Sequence, residues 1–388
     1  MIPFRFHKEL SFSILCLLGI ASLTACLTKS NRFGIVFSYS EEVGDAGDLY
    51  QMADHSRNEY ERLTFTPTIN ERSVLVSEDG ENIVFTTNRL DWGNADPAEL
   101  EIEPLDHIFL LGTTNKTLKD LTDIFESQPF EIGSMPVDFS RDKNRFAIIT
   151  GSGQPGIMNF DGGNKELLSI GFSDEIPYVI DDIRWSPDEK KLAFIHSLVG
   201  VDKRLQNPGS ALVIYDIETG ELRQIADHNE NCYHVTWSPT GWQLAATCVR
   251  AIPYSEYSGP YTVRIFGAEN TDQRPAYEYL ALTSCWSQSW SYDGKKLAFV
   301  CRKEDDQEGL FVINSDGSGL REIKLGDLKP ISIVSTPFWS PIGDQIVYVA
   351  GNDNRHLRIY MINSDGSNKH PLTVYEADYH IKFVYPTP

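Results

Sequence analysis

The chain has 388 residues, of which 41% are hydrophobic and 11% aromatic, which supplies enough apolar surface for a large core and excludes a disordered chain. It carries 34 Lys and Arg against 55 Asp and Glu, a formal net charge of −21. Charge of this sign repels phosphate backbones, so we expect no nucleic-acid partner.

The N-terminus has the pattern of an export signal. Arg5 and Lys8 precede an apolar run over residues 10–23. This run of about 14 residues is shorter than the roughly 20 needed to cross a bilayer, and it is typical of a cleaved signal peptide. It ends in Leu23-Thr24-Ala25-Cys26, which resembles the bacterial lipobox.

The lipobox resemblance implies a lipoprotein. Residues 1–25 would be removed as the signal peptide, and Cys26 would become the lipidated N-terminus, with residues 26–33 as a short tether. One acyl chain binds a membrane only marginally, whereas lipoprotein modification, palmitate included, supplies several. We therefore expect an extracytoplasmic protein of the bacterial cell envelope that contacts the membrane through its lipid anchor only.

Beyond the tether, one module recurs about every 53 residues, a period typical of stacked repeats. Each copy consists of an apolar residue, Ser, a tight turn and an apolar strand, as in Trp185-Ser186-Pro187-Asp188. Pro, Asp and Gly are the residues that such hairpin turns require. The Ser positions of the six copies are Ser77, Ser140, Ser186, Ser238, Ser291 and Ser340.

A second module alternates with the first and consists of an apolar strand, a polar turn and a mixed strand. Its clearest copies contain Ile-Asn-Ser-Asp-Gly, at residues 313–317 and 362–366. Weaker copies begin at Ile108, Ile157, Val213 and Val263, and a seventh lies at residues 49–64. The strands of the first module are apolar on both faces, which indicates sheets stacked radially against each other.

The two modules together predict an all-β fold, a single β-propeller of four-stranded blades over residues 34–388. The strands of a blade are named a to d from the axis outward, with a and b in the first module. The N-terminal copy has a strand b at residues 34–39 but no strand a. We expect residues 381–385 to supply it beside residues 35–38, closing a ring of seven blades. Six blades is the alternative.

The recurring Trp-Ser-Pro-Asp and Ile-Asn-Ser-Asp-Gly-Ser segments resemble the repeat of the TolB propeller and its WD-repeat-like relatives. The resemblance covers nearly the whole of residues 34–388 and implies the fold. It does not specify a function, because the same repeat serves binding proteins, peptidase propeller domains and some sugar lyases. The chain lacks the separate α/β domain that precedes the TolB propeller, which puts a TolB role in doubt.

Four cysteines remain after Cys16 and Cys26. A hairpin whose three-residue loop is closed by Ser238 and Trp242 places Cys232 opposite Cys248, and the next repeat places Cys285 opposite Cys301 in the same way. In an oxidising compartment these pairs would form two disulfides. Four buried free thiols are the alternative, and the spacing does not favour a zinc site.

We expect the ligand site where long, unequal b–c and d–a loops surround one mouth of the central channel. The candidate residues on that face are Asp91, Trp92, His196, Tyr254, Tyr257, Tyr261 and Arg302. Three histidines, His196, His228 and His234, are the available metal ligands. No spacing brings them together, so we expect no metal site.

These observations favour a monomeric, lipid-anchored binding or scaffold module whose partner is an envelope protein or peptide. A glycan is a further candidate ligand, and we expect no cofactor and no catalytic residues. The sequence has no Gly-x-Ser-x-Gly nucleophile elbow, which argues against a peptidase. A carbohydrate-active enzyme, either a lyase or a hydrolase acting at the channel mouth, is the alternative that remains open.

Overall fold

A computed structural model gives the fold of the chain. It describes residues 34–39, 48–52, 60–64, 71–77, 80–87, 107–130, 135–142, 144–170, 178–198, 209–249, 261–269, 273–275, 282–305, 307–325, 332–333, 336–341, 343–351, 357–373 and 384–387. The predicted signal peptide and tether, with Cys26, lie outside the described residues.

The fold is a seven-bladed β-propeller of four-stranded antiparallel blades, numbered here in chain order. Blade 1 contains β1 (Gly34–Tyr39), β2 (Asp48–Met52) and β3 (Tyr60–Arg62). Blade 2 contains β4 (Glu71–Val76), β5 (Asn82–Thr87), β6 (His107–Gly112) and β7 (Leu118–Asp120). A short helix, α1 (Thr122–Phe125), leads to blade 3, which contains β8 (Met135–Phe139), β9 (Arg145–Ile149), β10 (Pro155–Asn159) and β11 (Glu166–Leu167).

The remaining blades follow the same order. Blade 4 contains β12 (Tyr178–Trp185), β13 (Lys191–Leu198), β14 (Ser210–Asp216) and β15 (Leu222–Ala226). Blade 5 contains β16 (Cys232–Trp237), β17 (Gln243–Cys248), β18 (Thr262–Gly267) and β19 (Gln273–Pro275). Blade 6 contains β20 (Leu282–Trp290), β21 (Lys296–Lys303), β22 (Glu308–Asn314) and β23 (Arg321–Ile323). Blade 7 contains β24 (Ser332–Ile333), β25 (Phe338–Trp339), β26 (Gln345–Gly351), β27 (Leu357–Asn363) and β28 (His370–Pro371). Its strand a is in two parts, since β24 and β25 both pair with β26.

The repeated Ser residues close the turns between strands a and b. Ser186 donates its hydroxyl hydrogen to Asp188 Oδ1 at 2.6 Å, and its oxygen accepts the amide hydrogen of Lys191 at 2.9 Å. Ser291 and Asp293 repeat this arrangement in blade 6. The Ser-x-Asp spacing of the first module is therefore a turn signal, and local hydrogen bonding explains it completely.

The core is divided into seven apolar clusters, one at each interface between neighbouring blades. Blade 1 shows why both faces of a strand must be apolar. Ile35 and Phe37 of β1 pack in the cluster shared with blade 7, whereas Val36 packs in the cluster shared with blade 2. All three side chains are buried, so blade 1 joins the two ends of the blade series into a ring.

The ring is closed by β29 (Val384–Thr387), which pairs with β1 as the innermost strand of blade 1. The prediction of seven blades closed by strands from both parts of the chain is confirmed, and the six-blade alternative is wrong. The register differs from the expectation, since Gly34 pairs with Thr387 and Phe37 with Val384. Pairing therefore extends to Thr387, and residues 381–383 lie outside the described part.

Both predicted disulfides are present, Cys232–Cys248 and Cys285–Cys301, each with its Cα atoms 4.0 Å apart. The hairpin used to predict them was wrong in one respect. The amide of Ser238 donates to the carbonyl of Gln243, so the turn has four residues, not three. A bulge at residues 234–235 of β16 adds one residue before Cys232 is reached, and this restores the predicted pairing.

The corresponding bulge in β20 lies between Trp286 and Ser289. His234 and Ser287 occupy these two bulges with positive φ angles of 51° and 57°. Each lies three residues before the Trp that ends its strand, so the bulge recurs at the same position of the repeat in blades 5 and 6. It keeps both cysteine pairs directly opposite each other.

Candidate functional site

The two faces of the propeller have different surfaces. We call the side formed by the a–b and c–d turns, such as residues 186–190, 238–242 and 291–295, the turn face. The opposite side, where the b–c and d–a connections lie, is the loop face. Strand a runs toward the turn face, so the Trp that ends each first-module copy lies there.

A cavity of about 390 Å³ opens at the axis on the turn face, and we call it the central cavity. Its lining comes from the last residues of four innermost strands and from the turns that follow them, so five successive blades contribute. These residues are Val76, Asp138, Phe139, Ser140, Arg141, Arg184, Trp185, Ser186, Pro187, Thr236, Trp237, Pro239 and Tyr292. Only the axis of a propeller is shared by five blades, so this cavity is the mouth of the channel.

Tryptophans connect the innermost strands around the axis. Trp237 Nε1 donates to the carbonyl of Arg184 at 3.1 Å, across the interface between blades 4 and 5. Trp290 and Trp339 repeat the contact in the next two blades, donating to the carbonyls of residues 236 and 289. The Trp of the repeated module thus joins neighbouring blades by a hydrogen bond, which explains its position at the end of strand a.

Trp185 departs from this pattern. Its side chain lines the central cavity and is buried, and its indole N–H has no acceptor among the described residues. The guanidinium of Arg145 lies over its ring, 4.5 Å from the centroid. A buried indole N–H normally finds a partner, so this donor marks a place where a water molecule or a ligand group is needed.

Charged side chains lie beside Trp185: Asp138 and Arg184 line the central cavity, and Asp182 is paired with Arg184. Asp138 accepts hydrogen bonds from the backbone amides of Phe139 and Trp185 at 3.0 and 2.8 Å. Asp182 accepts from the amide of Val235 at 3.0 Å and pairs with Arg184 at 3.1 Å. Asp138 thereby links blade 3 to blade 4, and Asp182 links blade 4 to blade 5.

Burial dominates the ionisation of both carboxyl groups. It raises the pKa of Asp138 from 3.8 to about 6, although Arg184 and the two backbone N–H groups act in the opposite direction. It also raises the pKa of Asp182 above its usual range, against the attraction of Arg184. The cavity wall therefore combines a carboxyl group that titrates near neutral pH with a permanent cation.

Replacing Asp138 with Asn should change the pH dependence of stability. Because its pKa is raised in the folded state, Asp138 contributes stability that is fully present below pH 3.8 and is lost as pH rises through about 6. The full shift corresponds to about 3 kcal/mol, and we expect about 2 kcal/mol because the carboxyl group is partly exposed.

Urea unfolding of wild type and Asp138→Asn between about pH 4 and about pH 7 measures this effect. The wild type should lose stability relative to the variant as pH rises. The variant also loses a hydrogen bond from a backbone amide, and this lowers its free energy of unfolding by the same amount at every pH. A difference between the two proteins that does not vary with pH would contradict the raised pKa.

A second cavity of about 280 Å³, the side cavity, lies on the turn face between the turns of blades 4 and 5. It shares Ser186, Pro187 and Trp237 with the central cavity. Its outer wall includes Trp242, which is 70% exposed, and the ion pair of Lys191 with Glu269 at 2.8 Å. The two cavities are therefore adjacent, and both are lined by aromatic, proline and charged side chains.

On the loop face, the structure brings two histidines together that the sequence spacing did not connect. His196 Nδ1 lies 2.9 Å from His228 Nε2. His196 is buried, and burial together with His228 lowers its pKa to about 4. Burial also lowers the pKa of His228. Both rings are thus neutral near pH 7, and one donates to the other.

Two other predicted residues on the loop face are described. Tyr261 is 38% exposed, and its ring centroid is 6.1 Å from that of Tyr233. The Arg302 guanidinium lies 5.7 Å from the centroid of the Trp286 ring. The remaining candidates, Asp91, Trp92, Tyr254 and Tyr257, lie outside the described residues, so a ligand site on the loop face remains a prediction.

The sequence analysis did not predict the residues of the central cavity, because they lie at strand ends and in short turns, whereas binding residues usually lie on long loops. Asp138 directly precedes Phe139, and Arg184 directly precedes Trp185, at the position that Thr236 and Ser289 occupy in later copies. A charged residue in an otherwise neutral position of the repeat was the available signal. In the described ranges, no group of three or more His, Cys, Asp or Glu side chains is arranged to hold a metal ion.

Solved structures similar to this chain share its fold at low sequence identity. An oligogalacturonate lyase in complex with manganese has a TM-score of 0.59 and 15% identity, covering 89% of this chain and 87% of that one. A structure from a study of two prolyl endopeptidases has a TM-score of 0.60 and 12% identity, covering 98% of this chain and 56% of that one. TolB from Acinetobacter baumannii has a TM-score of 0.48 and 15% identity, covering 91% and 82%.

No protein-family model and no curated protein matches the sequence. The class of protein is therefore defined by its architecture alone, a seven-bladed β-propeller. Its two disulfides are consistent with an extracytoplasmic location. Within the described part of the chain, no helix has the length and apolar character needed to cross a bilayer.

Proposed function

We propose that this protein is a lipid-anchored, extracytoplasmic binding module that takes a polypeptide segment into the central cavity. The observation that carries the proposal is the cavity itself, which five blades build from aromatic, proline and charged side chains. The lipobox at residues 23–26 supports the anchor at Cys26. Large polypeptide interfaces concentrate their binding energy in the residue types found here, Trp, Tyr and Arg.

The chemistry of the lining suits a peptide backbone. Pro187, Pro239 and Tyr292 offer apolar contact at the rim. The Trp185 indole supplies a donor, Asp138 supplies an acceptor, and Arg184 supplies a positive charge. A peptide group presents one donor and one acceptor per residue, so donors and acceptors in one wall match it.

Two exposed tyrosines give a matched test. Tyr292 lines the central cavity on the turn face and is 47% exposed, whereas Tyr261 is 38% exposed on the loop face. A peptide selected from a random display library against the purified protein serves as the probe. Tyr292→Ala should weaken its binding at least about tenfold, as expected for an interface aromatic, and Tyr261→Ala should leave it unchanged.

Equal losses in the two tyrosine variants would place the binding site away from the central cavity. Failure to select any peptide would remove the polypeptide part of the proposal. A separate flotation assay compares the wild-type protein, isolated from bacterial membranes, with Cys26→Ala. If the variant still floats with vesicles, the anchor is not at Cys26.

One observation favours a carbohydrate-active enzyme as the second candidate. A carboxyl group with a pKa of about 6 in a cleft, beside a second perturbed carboxyl group, is a typical general acid or base. Oligogalacturonate is the first substrate to test, because a lyase named for it shares the fold. Turnover by the wild type that is abolished in Asp138→Asn would favour this candidate over simple binding.

A further inference from the structure

The position of the first strand determines which face the tether leaves. β1 is strand b of blade 1, and Gly34 at its start pairs with Thr387 at the end of β29. In the other blades this position is the a–b turn, as at residues 186–190 between β12 and β13. The chain therefore enters the propeller on the turn face, the face that carries both cavities.

The length of the tether limits how the propeller can be oriented. Eight residue steps from Cys26 to Gly34 span at most about 28 Å. To place the loop face on the membrane, the tether would first have to pass strands c and d, each about 4.8 Å wide. It would then have to run down blade 1, which is about 20 Å high, the length of the six-residue strand β1. That path of about 30 Å is slightly longer than the reach of the tether.

The turn face also carries the side chains suited to a membrane interface. Trp242 and Tyr292 are the most exposed aromatic residues of the described part, at 70% and 47%. They lie in the a–b turns of the adjacent blades 5 and 6. Trp and Tyr are the residues enriched at the headgroup level of bilayers, where an apolar ring and a polar group are both accommodated.

We propose that the turn face lies against the phospholipid bilayer to which Cys26 is attached, with Trp242 and Tyr292 in contact with its headgroup region. This inference rests on the proposed lipid anchor, and it replaces the expectation that the lipid alone contacts the membrane. The loop face then points away from the membrane. A polypeptide that enters the central cavity approaches it from the membrane side, which identifies it as a membrane-proximal segment.

Two reporter positions at opposite ends of one strand test the orientation. Lys295 precedes β21 on the turn face and is 78% exposed, and Glu304 follows the same strand on the loop face and is exposed. Lipidated Lys295→Cys and Glu304→Cys proteins, each carrying a fluorescent label, are reconstituted into phosphatidylcholine vesicles with acceptor dye on the lipid headgroups. Energy transfer from position 295 should be at least about twofold higher, because the strand separates the sites by about 25 Å.

The aromatic contact is tested in the same vesicles. Combining Trp242→Ala and Tyr292→Ala should bring the ratio of the two transfer efficiencies closer to one while the protein still floats. An unchanged ratio would refute the contact of these two rings with the bilayer.

The remaining outcomes separate the orientation from the anchor. Equal transfer from positions 295 and 304, or higher transfer from 304, in a protein that floats would overturn the orientation and leave the anchor intact. A wild-type protein that does not float would refute the anchor, and the orientation with it.

Discussion

Deletion of residues 384–388 should prevent the propeller from closing. Without β29, β1 loses its inner partner, and Ile35 and Val36, which are 1% and 0% exposed, lie in a blade with an open edge. We expect the free energy of unfolding to fall by about 5 kcal/mol or more, a large part of the stability of a typical domain. The exposed edge should also recruit other chains. Urea unfolding and size-exclusion chromatography measure the two effects.

A circular permutant is the matched control for this deletion. Since Gly34 and Thr387 are paired, a short turn between them would convert β29 and β1 into an ordinary a–b hairpin. With the chain opened in another turn, this permutant should retain the wild-type stability. A truncated chain that remains monomeric and equally stable would show that β29 does not close the ring.

Removal of both disulfides should have the second large effect. Each bond joins residues 16 positions apart, and the loss of a cross-link of this size costs about 3 kcal/mol. The two pairs lie in different interface clusters, so we expect their effects to add to about 6 kcal/mol. Alanine is the appropriate replacement because a hydroxyl group in these buried sites would lack a partner.

Urea unfolding with and without a reducing agent tests this prediction. The reducing agent should destabilise the wild type by about as much as the four Cys→Ala substitutions, and it should have no effect on the substituted protein. Four thiols that react with an alkylating agent in the unreduced, exported wild type would contradict the disulfides.

The cysteine pairs were predicted correctly although the length of the turn between their strands was predicted wrongly. The predicted three-residue turn after Ser238 has four residues, and the bulge that contains His234 compensates for it. The same compensation occurs before Trp290. In both repeats the two cysteines lie at the same sequence distances from the Trp that ends strand a. This equality does not depend on the length of the turn, so the pairing was predictable although the exact register was not.

The candidate site was less accessible to sequence reasoning. Asp138, Arg184, Trp237 and Tyr292 come from four blades, and the sequence positions of the first and last differ by more than 150 residues. No local pattern connects them, because their proximity depends on how far each blade is rotated about the axis. The contact of His196 with His228 was missed for the same reason.

The sequence by itself determined the strands, their grouping into seven repeats and the cysteine pairs. These depend on residue periodicity and on turn chemistry, which act over a few residues. The tertiary structure alone decided the register of ring closure, the face on which the cavity opens and the raised pKa of Asp138. Those properties arise where distant strands meet at one axis, and there burial and charge are set by neighbours that are remote in sequence.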